Sequence, residues 1–349
     1  MGFSDILRAH AARYPLMQPR DAVKLVYQSE FGGGHLVTNA DAAKARLADE
    51  YAAAPKCGAP LFEDIGGGMV RVMLGAVSAE RYPLDRLCCD FIRSAAQTGG
   101  TQEGFLKKLA LLRALTAEGA MPFSSDALSA FLSTYDGGAV SHSATYRKAY
   151  APAYRVLAAR FSFGHFLQAV EALRAAQPRT IVAIDGRCGA GKTTLAAFLQ
   201  KTLGASVIHL DDFFLRPEQR TNARLDTPGE NIDHERFLSE VLLPLREGAL
   251  PSYRRFDCHV QRLTQTVRVE PSDLFVVEGS YACHHALREH YDLRAFLDVE
   301  GAAQQRRIEQ RDGAAALEIF LSKWIPMEEK YFEKHCVEAQ CEYSFADCE

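Results

Sequence analysis

The C-terminal half of the chain, residues 178–349, is predicted to be an α/β fold with a parallel sheet covered by helices. A mainly α-helical domain, residues 1–177, precedes it. Three observations lead there. The residue pattern changes character at Gln177-Pro178. Four short apolar runs follow, separated by segments of helical periodicity. The first of these runs stops at a glycine-rich turn that opens a helix. Continuous apolar strands alternating with helices indicate a sheet buried on both faces.

In the first half, Val23, Val26, Tyr27 and Phe31 recur at helical spacing, as do Leu106, Leu109 and Leu112. Glycine-rich breaks separate them at FGGGH 31–35, IGGGM 65–69, TGGT 98–101 and YDGG 135–138. The stretch YRKAYAPAYRVLAARF reads as one long helix kinked or split at Pro152, with FLQAVEALRAA following. In the second half TIVAID (180–185), SVIHLD (206–211), LFVVEG (274–279) and RAFLDV (294–299) are the strands.

The chain's 349 residues suffice for two domains, each with its own core. A formal net charge of −4 gives no support for a nucleic-acid or membrane-surface partner. Any anion must be held by a local cluster. Nine scattered cysteines without C-x-x-C pairs suggest reduced thiols in a cytoplasmic protein, and His335, Cys336, Cys341 and Cys348 lack the paired spacing of a zinc site. The N-terminus MGFSDILRAH has no basic-then-apolar signal pattern. A homo-oligomer is left open.

Gly186-Arg-Cys-Gly189-Ala190-Gly191-Lys192-Thr193 fits G-x-x-x-x-G-K-[ST] and lies between a strand and an amphipathic helix bearing Leu195, Phe198, Leu199 and Leu203. That setting makes it a phosphate loop, the mark of a P-loop NTPase-type sheet. Glycines let backbone N–H groups close around phosphate oxygens, and the helix N-terminus adds its dipole. Gly186, Gly189, Ala190, Gly191, Lys192, Thr193 and Thr194 are thus the ATP-binding residues. Lys192 serves the β- and γ-phosphates and Thr193 the Mg²⁺. The next strand ends at Asp211-Asp212, where a carboxylate can take a proton from an acceptor hydroxyl. Glu278 ends a later apolar strand, a place where a carboxylate needs a cation or a donor. Arg307 and Arg311 share a helix face, with Arg306 beside them.

IDGRCGAGKTTLA, LDDFF, NIDHERF, VVEGSYA and QQRRIEQRD occur in an order and spacing that resemble the uridine kinase/phosphoribulokinase-like family over about 180–335. The resemblance implies transfer of the ATP γ-phosphate to a hydroxyl of a small metabolite, a nucleoside such as uridine first. A non-nucleoside alcohol (pantothenate-like, a sugar phosphate or vitamin-type) and an ATP-binding regulatory switch are the alternatives. It implies Asp211 as catalytic base, with Asp212 as the other candidate at the same strand end. Asp233 would hold sugar hydroxyls, or cap the helix that follows it. Glu278 would lie near Mg²⁺ and the substrate, and Arg307 and Arg311 in a lid around the moving phosphoryl group. The base-reading segment of the family is matched only loosely by PSYRRFDCHVQR, which supplies Tyr253, Asp257 and His259 with altered spacing and adds Arg254 and Arg255, candidates for an anionic acceptor. Trp324 and Phe332 in FLSKWIPMEEKYFEKH read as core anchors.

The N-terminal half resembles no characterised family. Its candidate groups are Glu30 and His35 around FGGGH, and His142 and Tyr146 in VSHSATYR. A second enzyme, a sensor and a dimerisation module are all compatible with them.

Overall fold

The structure is a computed structural model and describes residues 2–346 except 38, 57, 59, 79–81 and 98. Two compact units divide between His165 and Phe166. The pattern change in the sequence lies twelve residues further on, at 177/178. The difference is the helix Phe163–Ala176, whose Phe166 ring lies edge-on to Tyr343 and Phe345 of the second unit at 5.3 and 5.5 Å.

The first unit is mainly helical, as expected, and also contains a three-stranded antiparallel sheet of β1 (Phe62–Gly66), β2 (Met69–Met73) and β3 (Tyr154–Ala158). The glycines at 66–68 all have positive φ and close the β1–β2 hairpin. β3 overturns one expectation, since YRVLA is a strand and not the continuation of a helix. The helix Ala144–Tyr150 ends at Ala151 in the left-handed region, φ 40°. Pro152 disfavours helical geometry for the residue before it and offers no N–H to continue the helix. Tyr154–Ala158 then pairs with β2 from Met69↔Ala158 to Met73↔Tyr154. Cys89 is disulfide-bonded, against the expectation of uniformly reduced thiols.

The second unit is built on a parallel sheet of order β10-β9-β4-β8-β5: Tyr343–Ala346, Leu293–Asp298, Thr180–Gly186, Leu274–Glu278 and Ser206–His209. All four strands expected from the apolar runs are present. Every residue of β4 and β8 is buried, as a doubly covered sheet requires. The short edge strand β10 gives no comparable run. A separate antiparallel hairpin joins β6 (Ser252–Asp257) to β7 (Arg262–Arg268). Helix Lys192–Leu203 follows β4, burying Leu195 and Leu199. Among the described residues, no helix is long and apolar enough to cross a membrane.

One buried histidine makes the unit's stability pH-dependent. His284 has no solvent exposure, and burial together with His234, His285 and His335 pushes its pKa down to about 3. It is therefore neutral in the fold, while in the unfolded chain it takes a proton below its ordinary value of about 6.5. This stabilisation is complete above pH 6.5 and declines as the pH falls from there toward 3, by up to about 1.4 kcal/mol per pH unit. Denaturant titrations should show a larger loss of stability between pH 7 and 4.5 for the wild type than for His284→Gln; equal losses would contradict the assignment.

Candidate active site

The strand-to-loop corner is set by backbone packing. Gly186 has φ 137°, and a Cβ there would lie 2.0 Å from the Leu297 carbonyl of β9, so no other residue fits. Arg187 N donates back to that carbonyl at 3.0 Å, and Gly191, φ 90°, turns the chain into the helix. Among the described residues, the backbone N–H groups of Gly189, Gly191, Lys192, Thr193 and Thr194 have no hydrogen-bond acceptor. Unpaired amides converging at a helix N-terminus are a fitting cradle for a polyphosphate. Lys192 is buried, and its Nζ donates to the carbonyls of Gly186 and Arg187 at 2.7 and 3.0 Å and to Ser280 Oγ at 3.3 Å.

Beneath the loop lies Asp185, fully buried at the end of β4. Its carboxylate accepts from Gly186 N (2.7 Å), Tyr281 N (3.1 Å), Cys283 N (2.8 Å) and the Tyr331 hydroxyl (2.9 Å). Burial raises its pKa to about 6, and these donors and Lys192 oppose the rise.

A pocket of about 580 Å³ opens over this corner. The sheet and loop side carries Lys192, Thr193, Asp211 and Glu278; the helix side carries Arg307, Arg311, Phe320 and Trp324. Glu278 is buried, accepts from Thr193 Oγ1 at 3.2 Å and meets His209 Nδ1 at 2.5 Å, a contact that raises the His209 pKa. The hydroxyl of Thr193 and the carboxylate of Glu278 offer hard oxygen donors side by side, which suits Mg²⁺.

The neighbouring aspartates separate. Asp212 is buried and bound, accepting from the Tyr253 hydroxyl at 3.0 Å and pairing with Arg255 Nε at 3.1 Å. Asp211 is open to the pocket and makes no hydrogen bond or ion pair among the described residues. Desolvation by the cleft walls raises its pKa; Lys192 opposes this and Glu278 adds to it.

Other expected residues lie elsewhere. Asp233 is buried, caps the helix His234–Phe237 through Arg236 N at 3.2 Å, and accepts from Gln219 Nε2 at 2.9 Å on its other oxygen. It has no free oxygen for sugar hydroxyls and does not line the pocket. Tyr253 is buried with its hydroxyl committed to Asp212. Asp257 and His259 sit at the β6–β7 turn, where Asp257 Oδ1 accepts from His259 N and Val260 N, and both are outside the pocket. Arg254 donates to the Leu263 and Thr264 carbonyls. Arg307 and Arg311 do reach the pocket, Arg307 Nη1 donating to the Gly189 carbonyl at 3.1 Å and Arg311 pairing with Asp312 at 2.7 Å.

Sequence reasoning missed several wall residues. Trp324 is half-buried and lines the pocket, while Phe332 is the core anchor expected. Glu328 is buried and ties its helix to the loop, accepting from Cys188 N at 3.0 Å and the Ser280 hydroxyl at 2.6 Å. Asn231, inside the quoted NIDHERF, lines the pocket while nearly fully buried, and its Oδ1 has no hydrogen-bond partner.

A curated uridine kinase from Halobacterium salinarum is 31% identical over 172 residues, covering 45% of this chain and 76% of that protein. The chain belongs, through its C-terminal unit, to the uridine kinase family. A uridine kinase from Staphylococcus haemolyticus is 28% identical over 172 residues, or 44% of this chain and 82% of the relative. A solved structure of a possible uridine kinase from Bacillus stearothermophilus has a TM-score of 0.38 and 19% identity, covering 52% of this chain and 98% of that one. No family model matches. The C-terminal unit is a nucleotide-binding P-loop kinase, and the chain is a phosphotransferase enzyme.

Replacing Lys192 by Ala removes the one ammonium of the loop. Calorimetry should show ATP-Mg²⁺ binding weakened at least about tenfold, or about 1.4 kcal/mol; normal binding would contradict the role of the loop.

Proposed function

We propose that the C-terminal unit transfers the ATP γ-phosphate to a hydroxyl of a nucleoside, uridine being the first candidate. The observation that carries this reading is Asp211, an unpaired carboxylate in the same pocket as Lys192 and the loop. Its raised pKa leaves it a better proton acceptor than an ordinary surface aspartate, and Asp212 is unsuited because both of its oxygens are engaged.

The chain's own groups divide the work. The loop amides and Lys192 hold the phosphates; Thr193 and Glu278 are the residues suited to hold Mg²⁺. When bound, that ion would neutralise phosphate charge. Arg307 and Arg311 stand over the loop where negative charge builds on the moving group, and guanidinium forks match its oxygens. Asp211 orients the acceptor hydroxyl and takes its proton. Phe320 and Trp324 limit water on the helix side, which disfavours plain hydrolysis.

A neutral acceptor is favoured over an anionic one. Arg254 and Arg255 are engaged on the hairpin and with Asp212, and neither lines the pocket. The same pocket is lined by Phe214, Asn231 and Tyr281, which offer aromatic faces and one buried amide oxygen without a partner. A sugar hydroxyl donating to Asn231 Oδ1 would satisfy that oxygen, and an acceptor without one would leave it unpaired.

ADP release from ATP-Mg²⁺ by the full-length protein tests the reading across uridine, cytidine, purine nucleosides, pantothenate and sugar phosphates. The expected result is low basal release with strong stimulation by a pyrimidine nucleoside. Asn231→Ala should raise the KM for that nucleoside about tenfold or more while leaving the KM for ATP nearly unchanged. Stimulation by an anionic acceptor alone would overturn the nucleoside assignment, and high basal release unaffected by any acceptor would favour an ATP-driven switch.

A further inference from the structure

The N-terminal unit has a cavity of about 620 Å³, within the ordinary size of small-molecule sites. FGGGH and VSHSATYR, far apart in sequence, both contribute to it through His35 and His142. Tyr146 is instead a core residue stacked on His142 at 4.2 Å, and Glu30 is bound to Lys108 at 2.9 Å, away from the cavity.

One wall is a buried polar chain. Asp21 accepts from Gln18 N, Ser143 N and the Ser143 hydroxyl, and it meets His142 Nδ1 at 2.8 Å. Burial opposes ionisation of Asp21, but these bonds hold its pKa below the usual range. An ionised Asp21 fixes the proton of His142 on Nδ1, so Nε2 presents its lone pair to the Tyr154 hydroxyl, 2.6 Å away. Gln28 Oε1 accepts from Arg71 at 3.0 Å and lies 3.2 Å from the Tyr154 oxygen, and the Arg71 guanidinium lies 4.4 Å over the Tyr154 ring. Arg71 Nε is the exception without a partner; the other bonds of this network stiffen the wall.

The cavity's charge is unbalanced. Its ionised lining groups are Lys24, Arg46 and Arg155 against Glu50 alone, so three positive charges less one negative leave a formal +2. Glu50 pairs with Arg155 and, at 3.0 Å, with Arg46. Arg155 is almost completely buried, and its Nε has no hydrogen-bond partner. Burial, with Arg71 adding to it, lowers the Lys24 pKa to about 8. His35 is pushed down by desolvation, then by Lys24 and Arg46. An anion in the cavity would relieve all of these at once.

We propose that this cavity binds a small phosphate monoester, with the phosphate dianion among Lys24, Arg46 and Arg155 and the organic part along Tyr154 and His35. A dianion balances the +2 of the lining, and the donors of two guanidinium groups and an ammonium suit phosphate oxygens. This site is independent of the phosphate loop and of the acceptor proposed above.

The test uses the full chain carrying Lys192→Ala, so that the phosphate loop contributes little. Glycerol 3-phosphate, ribose 5-phosphate, glycerol and succinate are titrated in turn by calorimetry, and the histidine ring signals are followed by NMR. The expected result is one-to-one binding of both phosphate monoesters, little heat with glycerol or succinate, and an upward shift of the His35 pKa. Arg46→Gln, at an exposed position, should weaken binding at least tenfold while leaving ATP binding unchanged in the chain with native Lys192. The absence of heat with either monoester, equal binding of glycerol or succinate, or binding indifferent to both Arg46→Gln and Lys24→Gln would overturn the proposal. None of these outcomes depends on which acceptor the kinase unit uses.

Discussion

The phosphate loop depends on one buried carboxylate. Asp185 takes four donors from three segments: the loop at Gly186, the turn after β8 at Tyr281 and Cys283, and the C-terminal helix at Tyr331. A buried acid is costly unless its oxygens are satisfied, and here the satisfaction fixes the relative positions of the three segments. Glu328 repeats the device one turn of helix away, binding Cys188 N and Ser280. The loop therefore sits in a frame that also sets where Glu278 and the helix-side aromatic residues stand. The amides of the loop are left unpaired and convergent because the segments around them are held by other bonds.

The same economy separates the two acids of LDDFF. Asp212 anchors the β6–β7 hairpin through Tyr253 and Arg255, which leaves Asp211 without partners at the strand end. Adjacent residues of one sequence motif thus differ, one bound into the structure and the other left open to the pocket. The hairpin that carries Tyr253, Asp257 and His259 is held to the sheet by this contact, and its polar turn lies away from the pocket.

The phosphate loop was legible because its chemistry is local: backbone amides, one lysine and one threonine must follow one another directly, at the end of an apolar strand. The parallel strands β4, β5, β8 and β9 were legible for a similar reason, since burial on both faces favours continuous apolar runs. What was not legible depended on non-local packing. Asp233 looked like a ligand with a spare oxygen until Gln219, fourteen residues upstream, took it. Trp324 looked like core because an aromatic residue at helical spacing carries no mark of which wall it joins. Asn231 was inside a quoted motif, but its unpaired oxygen is a property of the assembled pocket. In the first unit, Tyr154–Ala158 satisfies a helical period as well as an extended one, and only Pro152 together with the partner strand β2 decides between them.

The most direct measurement of the central claim is a single-turnover assay with Asp211→Asn, in which ATP-Mg²⁺ affinity and phosphoryl transfer to the best acceptor are followed together. The account predicts ATP affinity within about threefold of wild type, with transfer slowed by about 10²-fold or more. Asp212→Asn should instead lose stability first. Full-rate transfer by Asp211→Asn would contradict the account, because the proton would then be leaving by another route and the unpaired carboxylate would have no part in the chemistry.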